Sequence, residues 1–209
     1  MRRPEHLKYT YCVPQPNQKG IHIHIPKTAG VCVNCYLKDI APEMVLSHAS
    51  AYFVRNRMNS RFPGTWDKMF TFAFVRNPWD RLVSLCLYHN RHRATNIGFD
   101  EFLMGGKRHL VDEYSIDLVF NSPFEQKSFL CDANGEVLVD FIGKMENFTE
   151  DFNYIRKKLG LPPKEKFIVL NSQFKYKYDG DYRGYYNKES RRFVGDLCKW
   201  EIEKFGYEF

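Results

Sequence analysis

The sequence predicts an α/β domain around a mainly parallel central sheet, and three observations predict it. Two short apolar strand patterns each run directly into a turn and a helix pattern, and strand and helix patterns keep alternating after them. Parallel neighbours need helical crossovers, so this alternation is what a parallel sheet requires. The length of 209 residues, with 44% apolar and 27% charged residues, suits one domain with a full core better than two. The expected organisation is an N-terminal extension over 1–20 and a single domain over 21–209.

Ile21-His22-Ile23-His24-Ile25 alternates with period two between Gly20 and Pro26, as a strand with its isoleucines on one face does. A helix is expected from Thr28 to about Ile40, and another over about Ser50 to Arg61, closed by Pro63-Gly64. Met69 to Val75 is a second apolar strand pattern, ended by Arg76-Asn77-Pro78. There a new helix starts: Asn77 is a good N-cap, Pro78 suits the first helical position, and Asp80 favours the positive end of the dipole. In that helix Leu82, Val83, Cys86 and Leu87 form an apolar stripe, while Arg81, Ser84 and Tyr88 share another face.

The polar and aromatic stretch 94–128 yields only a short helix near Phe99 to Leu103. Residues 129–142 read as a hairpin turning at Asn134-Gly135, with Val137 to Ile142 as its second arm. A helix from about Thr149 to Leu159 stops at Gly160, residues 167–171 form a short strand pattern, and one last helix is expected from about Lys188 to Phe205. Phe193, Val194, Leu197 and Ile202 are its expected buried side.

The net charge of +6, from 31 basic against 25 acidic residues, is spread along the chain and suits an anionic small ligand. A nucleic-acid binder would gather its cations on one face. The basic N-terminus has no apolar run behind it, and no stretch approaches ~20 uninterrupted apolar residues, so a cytoplasmic chain without signal peptide or membrane span is expected. Six irregularly spaced cysteines read as reduced thiols. Cys32 and Cys35 form a CxxC with no second ligand pair at metal spacing, so they read as two small core-facing helix residues.

Chemistry concentrates at the two strand-turn-helix junctions, because ligands of parallel sheets bind at the carboxyl ends of strands. Pro26-Lys27-Thr28-Ala29-Gly30 leads into a helix N-terminus, where unpaired N–H groups and the dipole favour an anion, and Lys27 adds a full charge. Pro26 stands where a Walker A loop needs glycine, which argues against an ordinary ATPase or kinase. At the second junction Arg76 leaves a strand and Ser84 follows two turns along the helix, where guanidinium and hydroxyl can grip one phosphate.

His24 to Gly30 and Phe74 to Ser84 closely resemble the 5′-phosphosulfate and 3′-phosphate motifs of the sulfotransferase superfamily, nearest to its carbohydrate branch, including the uronyl 2-O type and small bacterial members. Asp140 to Phe148 and the closing Phe205 to Phe209 extend the resemblance from about residue 21 to the end. The resemblance implies a P-loop-like, three-layer fold, 3′-phosphoadenosine 5′-phosphosulfate (PAPS) as donor, a hydroxyl acceptor on a carbohydrate, and no metal. It also implies that Lys27, Thr28, Ala29 and Gly30 hold the 5′-phosphosulfate, and Arg76 and Ser84 the 3′-phosphate. Val31 and Cys32 depart from the small hydroxyl residues often found after the family's glycine.

In-line sulfuryl transfer needs a cation at the leaving oxygen, a role that falls to Lys27, and a base for the acceptor. His48 is the first choice for the base by its position in the uronyl 2-O branch, with His24 in reserve and Glu146 weaker; His22 reads as a satisfied group in the sheet. Lys175 to Tyr186, basic and tyrosine-rich, reads either as a lid with Arg183 reaching a phosphate or as an ordinary solvated loop. Gln126, Lys127 and Lys144 are expected around the acceptor cleft. The alternative reading is a nucleotide-binding module of the same fold without transfer.

Overall fold

The computed structural model describes residues 18–37, 48–106, 124–167 and 181–209. Strands β1 (Gly20–Ile23), β2 (Phe70–Val75) and β3 (Phe141–Lys144) form a parallel sheet in that order, with Ile23 beside Ala73 and Val75 beside Lys144. Asp140 fixes the β3 register: its carboxylate accepts from the backbone and hydroxyl of Thr71 at 2.8 Å each, and its own N–H donates to Thr71 O.

The period-two pattern decides the layers. Ile21, Ile23, Ala73 and Val75 face a core shared with α2 (Ala51–Arg61) and α3 (Pro78–Arg93). Phe72 and Phe74 face the other way, onto α1 (Gly30–Leu37) and α6 (Phe148–Lys158). Helices therefore cover both faces of the sheet, and the α/β, three-layer arrangement follows. The remaining helices are α4 (Phe99–Gly105), α5 (Lys127–Leu130), α7 (Lys188–Leu197) and α8 (Lys199–Phe205). Among the described residues no helix is long and apolar enough to cross a membrane.

Local chemistry sets the helix ends as expected. Ser50 accepts from Phe53 N to cap α2, Asn77 accepts from Trp79 N to cap α3, and Asn187 closes a capping box on α7. Other expectations change. The hairpin expected over 129–142 is shorter: Cys131 bridges Val137 antiparallel about the Asn134-Gly135 turn and Leu138 N donates to Leu130 O at 2.8 Å, but the second arm does not run on to Ile142, because Phe141–Lys144 enter the sheet as β3, parallel to β2. The last helix is two, divided at Cys198, yet Ser190, Val194, Cys198 and Glu201 keep one continuous buried stripe. Cys32 is buried as expected, but Cys35 is exposed. The strand expected over 167–171 lies, beyond Phe167, outside the described residues, as do the extension up to residue 17 and the end of the first helix after Leu37.

Candidate functional site

The carboxyl ends of all three strands open on the same edge of the sheet, and the three following segments touch. Arg76, one residue past β2, donates from Nη1 to Lys27 O in the loop after β1, at 3.4 Å. Glu146, in the turn after β3, accepts from Asn77 N at 2.6 Å and from the Tyr207 hydroxyl at 3.2 Å. Glu146 thus ties its loop and the C-terminal segment to the Arg76 turn.

The loop 26–30 has an unusual backbone. Lys27 and Ala29 have φ of 69° and 61°, while Thr28 between them does not have positive φ. Left-handed conformations cost non-glycine residues, and alternation of this kind turns successive N–H groups toward one side, the concavity that binds anions. Two arginines hold the loop's carbonyls from behind: Arg76 on Lys27 O, and the fully buried Arg81 on Pro26 O at 3.4 Å. Arg81 also donates to Phe124 O. Thr28 is buried and its hydroxyl donates to Ile25 O at 2.9 Å, closing the turn from inside.

Lys27 Nζ rests over the Tyr88 ring, 4.4 Å from its centroid. Burial, with the Arg76 charge added, pushes the Lys27 amine down to about 8. Two cations held this close in a partly buried crevice call for an anion. Ser84 lies buried on α3 between Arg81 and Tyr88, the residues of the same face that touch the loop. Arg76 is itself gripped by Asp80 one turn on, with Nε and Nη2 each 2.7 Å from Oδ2.

His48, at φ 72°, comes to the same edge from the far side. Its Nδ1 donates to His24 O at 3.0 Å, and its ring centroid lies 4.3 Å from that of His24. Because a carbonyl only accepts, Nδ1 carries the proton and the lone pair of neutral His48 is at Nε2. His24 is buried against Gly30, and burial, with the Lys27 charge added, pushes its imidazole down to about 4. A base that weak suits proton abstraction poorly near neutral pH. His22 lies within the sheet, its Nδ1 3.1 Å from Asn34 Oδ1 and its ring stacked on Phe72.

Lys27, Thr28, Ala29, Gly30, Arg76, Ser84 and His48 are therefore brought to one edge. Arg183 stands apart: it is exposed, paired with Asp181 at 3.2 Å, and lies over the Tyr182 ring. Of the tyrosine-rich segment, 175–180 lie outside the described residues, whereas Tyr182–Tyr185 form a 3₁₀ turn and the Tyr186 hydroxyl donates to Trp79 O at 2.9 Å. The expected acceptor-cleft residues do other work. Gln126 is fully buried against the Arg76 backbone, and Lys144 Nζ donates to Phe205 O at 2.6 Å. Sequence reasoning gave Gln126 another role, and missed the contact of Tyr88 with Lys27 and the Asp80 grip on Arg76. Only the last had a readable signal, the i, i+4 spacing.

Residues 15–208 match the sulfotransferase family. An uncharacterized protein of Archaeoglobus fulgidus is 34% identical over 113 residues, which make up 54% of this chain and 82% of that protein. The crystal structure of a sulfotransferase from Alicyclobacillus acidocaldarius aligns with a TM-score of 0.49 at 13% identity, covering 94% of this chain and 98% of that one. The family match begins ahead of β1, runs past α8 and takes in every residue of the crevice just described: the chain belongs to the sulfotransferase family.

Proposed function

We propose that this sulfotransferase takes its sulfuryl group from PAPS and delivers it to a carbohydrate hydroxyl. The observation that carries the reading is the meeting of Lys27 and Arg76 at the ends of adjacent parallel strands, where burial and the Arg76 charge push the Lys27 amine down and favour an anion between them. Bound there, PAPS supplies the activated sulfuryl group and a nucleotide phosphate as leaving group. Loop 26–30 offers its N–H groups and the Lys27 ammonium to the 5′-phosphosulfate. Arg76 and Ser84 hold the 3′-phosphate, the guanidinium in fork geometry. His48 receives the acceptor proton at Nε2, the nitrogen its bond to His24 O leaves unprotonated. Arg183, whose neighbour Tyr182 meets Asn77 of the Arg76 turn, is the further candidate for the 3′-phosphate. An acidic sugar is the acceptor favoured by the resemblance to the uronyl 2-O branch and by the mildly basic chain.

Calorimetry with 3′-phosphoadenosine 5′-phosphate (PAP) tests the donor site. Wild type should bind PAP far better than adenosine 5′-phosphate, and Arg76→Ala should weaken PAP by roughly tenfold to hundredfold, the range of one charged hydrogen-bonded contact. Equal binding of the two nucleotides by wild type would remove the donor assignment.

The same site should respond to pH. Lys27 is charged below about 8 and neutral above it, and an anion beside it favours the charged form. PAP affinity should therefore fall as pH rises through 8, by up to about tenfold per unit. In Arg76→Ala the repulsion on Lys27 is gone, so the fall should begin at higher pH. A titration series from pH 7 to 10 that stays flat for both proteins would mean that Lys27 does not meet the nucleotide.

A further inference from the structure

Along β2 the partner strands stop short of Arg76: β1 pairs as far as Ala73, opposite Ile23, and β3 as far as Val75, opposite Lys144. Arg76 is the next residue, and its N–H and C=O have no strand beside them. Buried backbone groups need partners. One side chain supplies both: Gln126 Oε1 accepts from Arg76 N at 2.9 Å, and Gln126 Nε2 donates to Arg76 O at 2.9 Å. A carboxamide that meets one residue through its N–H and its C=O does what a neighbouring strand would do. It fixes both peptide planes flanking Arg76 and so the direction in which the Cα–Cβ bond leaves the chain.

Gln126 is held in turn. It has no exposed surface, its own N–H donates to Glu201 Oε1 on α8, and Lys127 N donates to the same oxygen at 3.3 Å. Two residues before it, Phe124 O accepts from Arg81 and, at 3.5 Å, from Cys198 Sγ. The segment 124–127 is therefore braced between α8 and the second junction. Glu146 grips Asn77 N on the next peptide.

We infer that Gln126 is a positioning residue that aims the Arg76 guanidinium and thereby sets the preference for a 3′-phosphorylated nucleotide. The inference rests on the reading of Arg76 as the 3′-phosphate ligand. Gln126 has no exposed surface to offer a ligand. Its effect passes through the Arg76 backbone to a side chain whose fork must meet a phosphate within a fraction of an ångström, and misplacement by about 1 Å can cost on the order of a hundredfold.

The test measures the affinity ratio of PAP to adenosine 5′-phosphate in wild type, Gln126→Leu and Gln126→Glu. Leucine fills the volume but makes neither bond, so the ratio should fall roughly tenfold to hundredfold while the affinity for adenosine 5′-phosphate changes little. Glutamate adds a signature that mere packing would not show. Protonated, a carboxylic acid presents a carbonyl to Arg76 N–H and an O–H to Arg76 C=O, as the carboxamide does; ionised, it repels that carbonyl. Burial and the nearby Glu201 favour its protonated form, and the Arg76 and Arg81 guanidiniums the ionised one. The ratio in Gln126→Glu, divided by that of wild type at each pH, should recover as pH is lowered from 8.5 to 5.5.

A folded Gln126→Leu protein with the wild-type ratio, or one that loses both nucleotides equally, would overturn the inference. If Gln126→Leu does not fold, absence of the acid recovery in Gln126→Glu would overturn it as well. A wild type that does not distinguish the two nucleotides would sink the reading of Arg76 itself, a separate result from any effect of Gln126.

Discussion

Replacing Lys27 with alanine is expected to slow sulfuryl transfer by about 10²–10³-fold, the loss seen when one preorganised charge is removed from a developing anion. PAP binding should weaken by only about tenfold, as for one partly exposed charged contact. The split follows from where charge sits. On the proposed donor reading, several N–H groups of the loop share the phosphosulfate with Lys27 in the bound ground state. As the bond to sulfur breaks, new negative charge gathers on the bridging oxygen, and the Lys27 ammonium is the mobile cation at that junction. Burial strengthens its field, because the same desolvation that lowers its pKa to about 8 removes the water that would screen it. Arginine should not restore the rate. The residue at 27 sits at φ 69° with its amine over Tyr88, and a broad planar guanidinium cannot take the place of a compact ammonium in that turn. The measurement is conversion of PAPS to PAP with any acceptor that wild type turns over, with water as background acceptor. A rate within about threefold of wild type would reduce Lys27 to a binding residue.

The parts of this architecture that could be read in the sequence are those governed by neighbours along the chain. Ile21 to Ile25 declares a strand by alternation, and Asn77-Pro78 with Asp80 declares a helix start by capping and dipole chemistry. Together they place Lys27 and Arg76 at two strand ends, and a parallel sheet then makes those ends neighbours without any further information. The length of the hairpin was not legible, because Val137 to Ile142 has the same local pattern whether it pairs backward with Leu130 and Cys131 or sideways with Phe72. The sideways pairing is decided by Asp140 meeting Thr71, a contact 69 residues away. The division of the last helix has a similar origin. Glu201 is drawn inward to accept from Gln126 and Lys127, and no periodicity marks a carboxylate as buried.

The candidate site divides the same way. Lys27, Thr28, Ala29, Gly30, Arg76 and Ser84 stand in two contiguous phrases, whereas what aims them comes from elsewhere: Gln126 reaches Arg76 across 50 residues, and His48 leans on His24 across 24. Residue type alone could not say whether Gln126 faces an acceptor or a backbone. Its complete burial decides for the backbone.

Gly30→Ala should be the most damaging alanine substitution among the described glycines. A methyl group on Gly30 would lie 1.9 Å from His24 Cδ2 and Nε2 and 2.4 Å from Cε1, far inside contact distance. The ring cannot swing away cheaply, because it is stacked with His22 on one side and packed against His48 on the other, at 5.5 and 4.3 Å between centroids. Overpacking of this kind costs up to about 3 kcal/mol where neighbours relax and more where they do not. At that size the midpoint of thermal unfolding should drop by roughly 6–12 °C. Nucleotide binding should be lost beyond what the lower stability explains, since relief comes only by parting the loop from the N-terminus of α1 or by displacing His24 and, with it, the carbonyl that orients His48. Removing the obstacle separates these causes. His24→Ala in the Gly30→Ala background should raise the midpoint above that of Gly30→Ala alone, although His24→Ala lowers it in the wild-type background. A double variant no more stable than Gly30→Ala would mean that the glycine serves the backbone of the loop and not the imidazole packed on it.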